Sequence, residues 1–448
     1  MAASVHPRPA REIPLMTLIA PRNQRIGTEN AFKIGPYITG LESQGHKVFK
    51  CNLGEPDFPL PAHIREEVKR QLDLDNVHYC DPQGVLPLRE AIAQDMGARR
   101  NIQISADRVV VFPGGKPPIG FAQQIYCEEG DEVIYPSPGY PVYESFIRYV
   151  GAVPRPLHLE EDAGFSFTGA DLAPLITDRT KLIIINFPSN PTGGVATRDQ
   201  LEGIADVIKA KASPDVRVYS DEIYENILFD GKEHASIASI QGMAEKTILV
   251  SGASKSYSWT GGRLGWAVLP TVEEAMLFKN MNINYISCVA PYTQMGGVTA
   301  LTSPKTGPWV QAMVDEFQGR RDVVVAGLNA IDGISCETPS GAFYVFPNIA
   351  GVCEKVGAIE AFNALPPDIQ SETSPATMFQ MFLLLEYHVA AMDRRSFGAI
   401  GSEGRHFLRL SIATRIDDLK EALVRIEKAS TDTAGFARFM KENTPPWN

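Results

Sequence analysis

The chain has 448 residues, enough for two domains and a large core, and its 44% hydrophobic and 21% charged content is that of a globular protein. A formal net charge of −11 argues against a nucleic-acid partner, whose phosphates demand a basic face. The six cysteines (51, 80, 127, 288, 336 and 353) include no Cys-x-x-Cys pair, which fits a reducing compartment and no structural metal site, and no apolar run approaches the length of a membrane span.

Residues 1–30 read as an irregular arm in which proline and arginine recur without periodicity. Its one apolar piece, Leu15 to Ala20, is too short for a signal core, so the expected location is cytoplasmic. Arg8, Arg11, Arg22 and Arg25 against only Glu12 keep an organelle-transit reading open beside it. A helix is predicted over 32–44, then a strand over 47–53 leading into Gly54-Glu55-Pro56-Asp57-Phe58. Pro61 opens a helix to about residue 72. Tyr79 to Gly84 is a loop by its turn residues, and a helix over 86–99 carries Leu88, Ile92 and Met96.

From Arg108 onward a strand–loop–helix rhythm sets in. The run 109–112 is apolar and mostly β-branched, which suits a strand buried on both faces. It enters Gly114-Gly115-Lys116 and a helix over 118–126. Strands follow at 132–135, with the loop Pro136 to Pro141, and at 181–187, with the loop Pro188 to Gly194 and a helix over 200–211. Further strands at 216–219 and 246–250 end at Asp221-Glu222-Ile223-Tyr224 and at the Lys255 stretch. This alternation predicts an α/β fold: a mainly parallel sheet with helices on both faces. Past a long helix over 307–330 the pattern changes to strands at 341–347 and 407–412 among helical stretches, a smaller α+β unit. The expected division is an arm over 1–30, a large domain over 61–306, and a small domain from 31–60 and 307–448 with a surface excursion near 351–376.

Several strand ends offer polar groups to one place. Lys255 sits among small residues past a strand's carboxyl end, where ligands bind in open α/β sheets, and such a lysine can form a Schiff base with an aldehyde. Arg263, eight residues on and near glycines, suits a phosphate. An aldehyde and a phosphate on one cofactor point to pyridoxal phosphate. Gly114-Gly115-Lys116 opens a helix whose N–H groups and dipole favour an anion, or is simply a glycine turn. Asn190 starts a turn or meets a ligand. Asp221 is an ion-paired strand-end carboxylate or the partner of a pyridine nitrogen, and Tyr224 lies three residues on.

The order Gly-Gly-Lys, Asn-Pro-Thr-Gly, Ser-Asp-Glu-Ile-Tyr, Ser-x-x-Ser-Lys with arginine eight later, and a late Arg-Leu-Ser resembles the class I/II aminotransferases of the fold type I pyridoxal-phosphate enzymes, over roughly residues 30–430. The resemblance implies that Lys255 holds pyridoxal 5'-phosphate and shuttles the substrate α-proton. It implies that Asp221 pairs the ring nitrogen, Tyr224 and Asn190 bond the ring oxygen, and Tyr140 stacks on the ring. Gly115, Lys116, Arg263 and either Ser251 or Ser254 would hold the phosphate; Gly252 stands where the family often has a serine. Arg409 would fork onto the substrate carboxylate with help from Gly54 and Asn190. Tyr79 would bond the phosphate of a neighbouring subunit's cofactor, which implies a homodimer with shared sites. Some relatives read a distal carboxylate with an arginine in a loop that here is 282–285 and has none; another branch uses the lysine matching Lys116. The implied reaction is transamination of an L-amino acid with a 2-oxo acid, with aspartate or glutamate and 2-oxoglutarate among the substrates. A carbon–sulfur lyase on the same fold, or a regulatory protein that kept the fold, stays open from motifs alone. A dinucleotide enzyme finds no support, since no strand is followed by Gly-x-Gly-x-x-Gly.

Overall fold

The computed structural model describes residues 18–27, 33–443, 445 and 447. Arg8, Arg11, Glu12, Leu15 and the start of the helix expected over 32–44 lie outside these residues; the described helix is Gly35–Ser43. In chain order the strands are β1 (Phe49–Lys50), β2 (Val109–Phe112), β3 (Glu132–Ser137), β4 (Val153–His158), β5 (Thr180–Asn186), β6 (Arg217–Asp221), β7 (Thr247–Gly252), β8 (Gly265–Val268), β9 (Tyr344–Val345), β10 (Val389–Ala390), β11 (Met392–Asp393) and β12 (Leu408–Ser411).

Seven strands form one sheet in the order β2-β8-β7-β6-β5-β3-β4. The pairings β7-β6, β6-β5, β5-β3 and β3-β4 are parallel, and only β8 runs against its neighbours. β2 and β7 both oppose β8, so β2 ends at the same edge as the parallel strands. The two-residue period of a strand sends alternate side chains to opposite faces. Val110 and Phe112 join Tyr135, Ile184 and Val250 under the helices Pro117–Tyr126, Val142–Val150 and Val272–Tyr285. Val109 and Val111 join Leu249, Trp266 and Val268 on the other face, with Ile92 and Met96 of the helix Leu86–Arg100. That two-sided burial is why these runs carry no polar alternation.

The remaining strands are short. β1 pairs with β10 in parallel, so the N-terminal segment is knitted to the C-terminal one, and β11-β12-β9 form an antiparallel three-stranded sheet. The long helix Thr306–Asn329 buries Phe317, Val324 and Leu328. Among the described residues no helix is long and apolar enough to cross a membrane.

Five expectations need correction. The strand expected over 47–53 keeps two residues in register, and that over 341–347 likewise shrinks to β9. β4 is unexpected because Pro154 and Pro156 argue against a strand; it lies at the sheet's edge, where a missing N–H leaves no ladder bond broken. The excursion near 351–376 is instead three short helices, Ala350–Lys355, Ala358–Asn363 and Pro367–Glu372, with Val352, Cys353 and Ala358 fully buried. Residues 282–285, expected as a loop, are the last turn of the helix Val272–Tyr285, where Asn282 is buried and bonds the carbonyls of Pro82 and Val111.

Candidate active site

The sheet's strand order reverses between β3 and β5, and in such sheets the carboxyl-end crevice at the reversal is where ligands sit. A cavity of about 450 Å³ opens there. Its wall carries four cations (Lys116, Lys255, Arg263 and Arg409) against two carboxylates, Glu55 and Asp221. In a chain of net charge −11 this is a local positive field, suited to a ligand that brings phosphate and carboxylate groups.

β7 ends at Gly252, and one helical turn, Ala253–Ser256, carries Lys255 into the cavity. Both sides of that turn are tied to the segment after β6. Ser251 Oγ donates to Glu225 Oε1 at 2.5 Å, and Asn226 Nδ2 donates to Ser256 Oγ at 2.9 Å. Lys255 Nζ donates to the Gly54 carbonyl.

Asp221 closes β6 and is buried. Burial pushes its carboxyl up to about 6, against the pull of a 2.7 Å bond from Tyr143 Oη and of the Ile223 N–H at 3.3 Å. Asn186 Nδ2 donates to the Asp221 carbonyl at 3.0 Å, and Asn186 Oδ1 accepts from the Asn190 N–H at 3.0 Å, which sets the loop after β5 against β6.

Arg263 has a left-handed backbone (φ 48°) and donates to the carbonyls of Thr260 at 2.9 Å and Pro113 at 3.1 Å. Gly114 sits at φ 91°, a backbone conformation that favours glycine, and a Cβ there would also lie 2.5 Å from Arg263 Nη2. Backbone and guanidinium thus converge on one cradle. Pro117 and Pro118 head the following helix and carry no N–H, so an anion at this helix end draws on the backbone of Gly115 and Lys116. Tyr140 faces the same cavity, with Lys116 Nζ 5.8 Å from its ring centroid.

Arg409 on β12 is held between the rings of Tyr344 and Phe397, its Cζ 4.5 and 4.8 Å from their centroids. Nη1 donates to Asn190 Oδ1 at 3.1 Å and Nη2 to the Asn52 carbonyl. The fork therefore belongs to the small sheet, while its acceptors come from the loop after β5 and from the N-terminal segment.

The family "Aminotransferase class I and II" matches this chain over residues 46–426. The chain belongs to the class I and II aminotransferases.

A probable aspartate/prephenate aminotransferase of Aquifex aeolicus is 34% identical over 390 residues, 87% of this chain and 92% of that protein. An aromatic-amino-acid aminotransferase 2 of Thermococcus litoralis is 31% identical over 417 residues, 92% of this chain and 97% of its own. The solved aspartate aminotransferase of Rhizobium meliloti superposes with a TM-score of 0.83 at 31% identity, covering 92% of this chain and 98% of that one. This chain is thus an enzyme that transfers amino groups.

Of the residues singled out in the sequence, the aminotransferase cavity gathers Gly54, Gly115, Lys116, Tyr140, Asn190, Asp221, Tyr224, Ser254, Lys255, Arg263 and Arg409. Ser254 lines it, whereas Ser251 is turned to Glu225. Tyr79 is not brought there. It is 90% exposed beside a separate groove with His78, Cys288 and Tyr292.

Sequence reasoning missed Tyr143 and Tyr344, both lining the cavity; Tyr344 is set in an apolar run that reads as core, and Tyr143 follows the loop Pro136 to Pro141. Their hydroxyls were the available signal, since a buried phenol requires a partner. Behind the site, Arg100 bonds Glu225 at 2.5 Å and also Glu222, while His234 Nε2 lies 2.8 Å from Glu222. Glu222, Glu225 and His234 have metal-like spacing, but the Arg100 guanidinium takes up the carboxylates, so this is a buried ion-pair network. Burial pushes Glu222 up, yet Arg100 and His234 outweigh it and hold the carboxyl well below its usual range.

Proposed function

We propose that this aminotransferase binds pyridoxal 5'-phosphate and moves an amino group from an L-amino acid to a 2-oxo acid, with aspartate or glutamate and 2-oxoglutarate among its good substrates. One observation carries the reading: Lys255, Asp221, Tyr224, Arg263 and Arg409 line a single cavity.

The residues fit the cofactor by their chemistry. The cradle of Gly114, Gly115, Ser254 and Arg263, with Lys116, suits its phosphate. Asp221 would face the ring nitrogen, a cationic partner that offsets the cost of the buried carboxylate, while Tyr224 and Asn190 would bond the ring oxygen and Tyr140 would cover the ring face. Lys255 is the amine that would attach it. Bound there, the cofactor supplies an electron sink for loss of the substrate's α-proton.

In this reading the chain's own groups bind and orient the amino acid. Arg409 grips the α-carboxylate as a planar fork, preset by the two rings that hold it and helped by Asn190 and Gly54. Lys255 Nζ takes the α-proton and returns it. Lys116 either steadies the phosphate or reads an acidic side chain. The reading also includes a large domain over 61–306, a small domain from the terminal segments, a homodimer in which Tyr79 reaches the neighbour's phosphate, and a cytoplasmic location.

A panel of single amino acids mixed rapidly with the loaded enzyme tests the function. Loss of the cofactor's absorbance with stoichiometric 2-oxo acid release is expected for aspartate or glutamate. Release of ammonia or sulfide with pyruvate would make the protein a lyase instead.

A further inference from the structure

Tyr344 on β9 lines the cavity and touches both halves of the site. Its hydroxyl lies 2.8 Å from Tyr224 Oη, with the two rings edge-on at 78°. Its ring face lies 4.5 Å from Arg409 Cζ. Its hydroxyl also presses against Gly54, where a Cβ would fall 2.0 Å from Tyr344 Oη. Gly54 in turn gives its carbonyl to Lys255 Nζ. Tyr344 is 1% exposed, so its neighbours fix its place.

We propose that Tyr344 is a positioning residue that couples the carboxylate-gripping Arg409 to the ring-oxygen partner Tyr224. The inference rests on the cofactor reading above. The two contacts use different parts of one side chain. The ring stacks on the guanidinium and fixes the plane of its fork. In the proposed pairing the Tyr344 hydroxyl is the donor and Tyr224 Oη the acceptor, which leaves the Tyr224 proton to point into the cavity toward the ring oxygen. A donor that itself accepts a hydrogen bond is a stronger donor, because the chain of bonds polarises it. The requirement for glycine at 54 has the same origin, since any side chain there would displace the Tyr344 hydroxyl from Tyr224.

Splitting the two contacts by substitution tests the proposal. Tyr344→Phe keeps the ring and loses the hydroxyl. It should hold KM for the amino acid within about twofold and lower kcat about tenfold, the scale of one well-placed hydrogen bond. The pH midpoint of the bound cofactor's colour change should move upward, because a less stabilised ring oxyanion holds a neighbouring proton more tightly. Tyr344→Leu also loses the ring, and should weaken binding of the unreactive dicarboxylate maleate about tenfold by calorimetry, in cofactor-free and loaded protein alike. Gly54→Ala should reproduce the colour-change shift of Tyr344→Phe.

A Tyr344→Phe enzyme with unchanged pH midpoint and kcat would overturn the relay, leaving Tyr344 as packing. Unchanged maleate affinity in a folded Tyr344→Leu would overturn the stacking half. Should the wild-type protein take up no pyridoxal phosphate, the proposed function falls, while the maleate comparison on cofactor-free protein still decides whether Tyr344 sets Arg409.

Discussion

Tyr143 Oη donates to Asp221 Oδ2 at 2.7 Å, joining a helix above the sheet to a carboxylate that burial has pushed up to about 6. The bond lowers a pKa that desolvation raises, and desolvation wins. A carboxyl raised from 3.8 disfavours the folded state once ionised. Its contribution is fully present below about pH 4 and is lost as pH rises through about 6, on the order of 3 kcal/mol. Asp221→Asn should therefore raise the Tm of the cofactor-free protein at pH 8 and leave it nearly unchanged at pH 4, while weakening cofactor binding. Tyr143→Phe should lower the Tm at pH 8, since it removes the bond that favours the ionised form. Equal effects at both pH values would show that Asp221 does not titrate in this window.

Lys255 should carry the cofactor. Reduction of the loaded protein with borohydride is expected to fix the adduct on the peptide containing Lys255. Lys255→Ala should retain cofactor through the phosphate cradle and lose nearly all turnover, because attachment and proton transfer both go. An adduct mapped to Lys116 by peptide mass spectrometry would overturn the assignment.

Arg100 should matter for stability out of proportion to its distance from the cavity. Its removal leaves Glu222 and Glu225 buried without their cation, a loss of about 3–5 kcal/mol. Arg100→Met should thus drop the Tm at neutral pH. Because Glu222 is held below its usual 4.5, the stabilisation is present above that pH and is lost in stronger acid. Unfolding curves for wild type and Arg100→Met should converge as pH falls; a constant gap would argue against the charge pairing.

The sheet was legible in the sequence because both its faces are buried: 109–112 and 181–187 leave continuous apolar runs, and the polar groups fall at their ends. β4 was not, since prolines at an edge strand look like a break. Tyr143 and Tyr344 were hidden for a different reason. Their ring carbons serve the core, and only the folded chain shows that their hydroxyls turn toward Asp221 and Tyr224. The two-residue strands β1 and β9–β11 are too short for a period of two to register, yet β1 and β12 place Asn52 and Arg409 together.

Tyr79 offers a test of assembly. Tyr79 is 90% exposed beside a groove with Cys288 and Tyr292, and in the proposed homodimer a second copy of the chain would cover it in an isologous contact. Light scattering should give a dimer at working concentrations. Tyr79→Phe should weaken cofactor affinity by about 1 kcal/mol, the worth of one hydrogen bond, without lowering the Tm of the cofactor-free protein. A fully active monomer would sink the shared-site arrangement.

Substrate choice is expected to test the role of Lys116. In the proposed function Arg409 takes the carboxylate every amino acid shares, so discrimination is expected from another cation of the cavity, and Lys116, beside Tyr140, is the candidate. The residues 282–285 hold no arginine and form a helix end, which removes that alternative reader. An ammonium on a flexible stem can meet a distal carboxylate and fold aside for an apolar or aromatic side chain. Lys116→Ala should cut kcat/KM for aspartate and glutamate by about 2 kcal/mol, a lost charge-assisted bond, and for phenylalanine much less. Equal losses across all substrates, accompanied by weaker cofactor binding, would assign Lys116 to the phosphate instead.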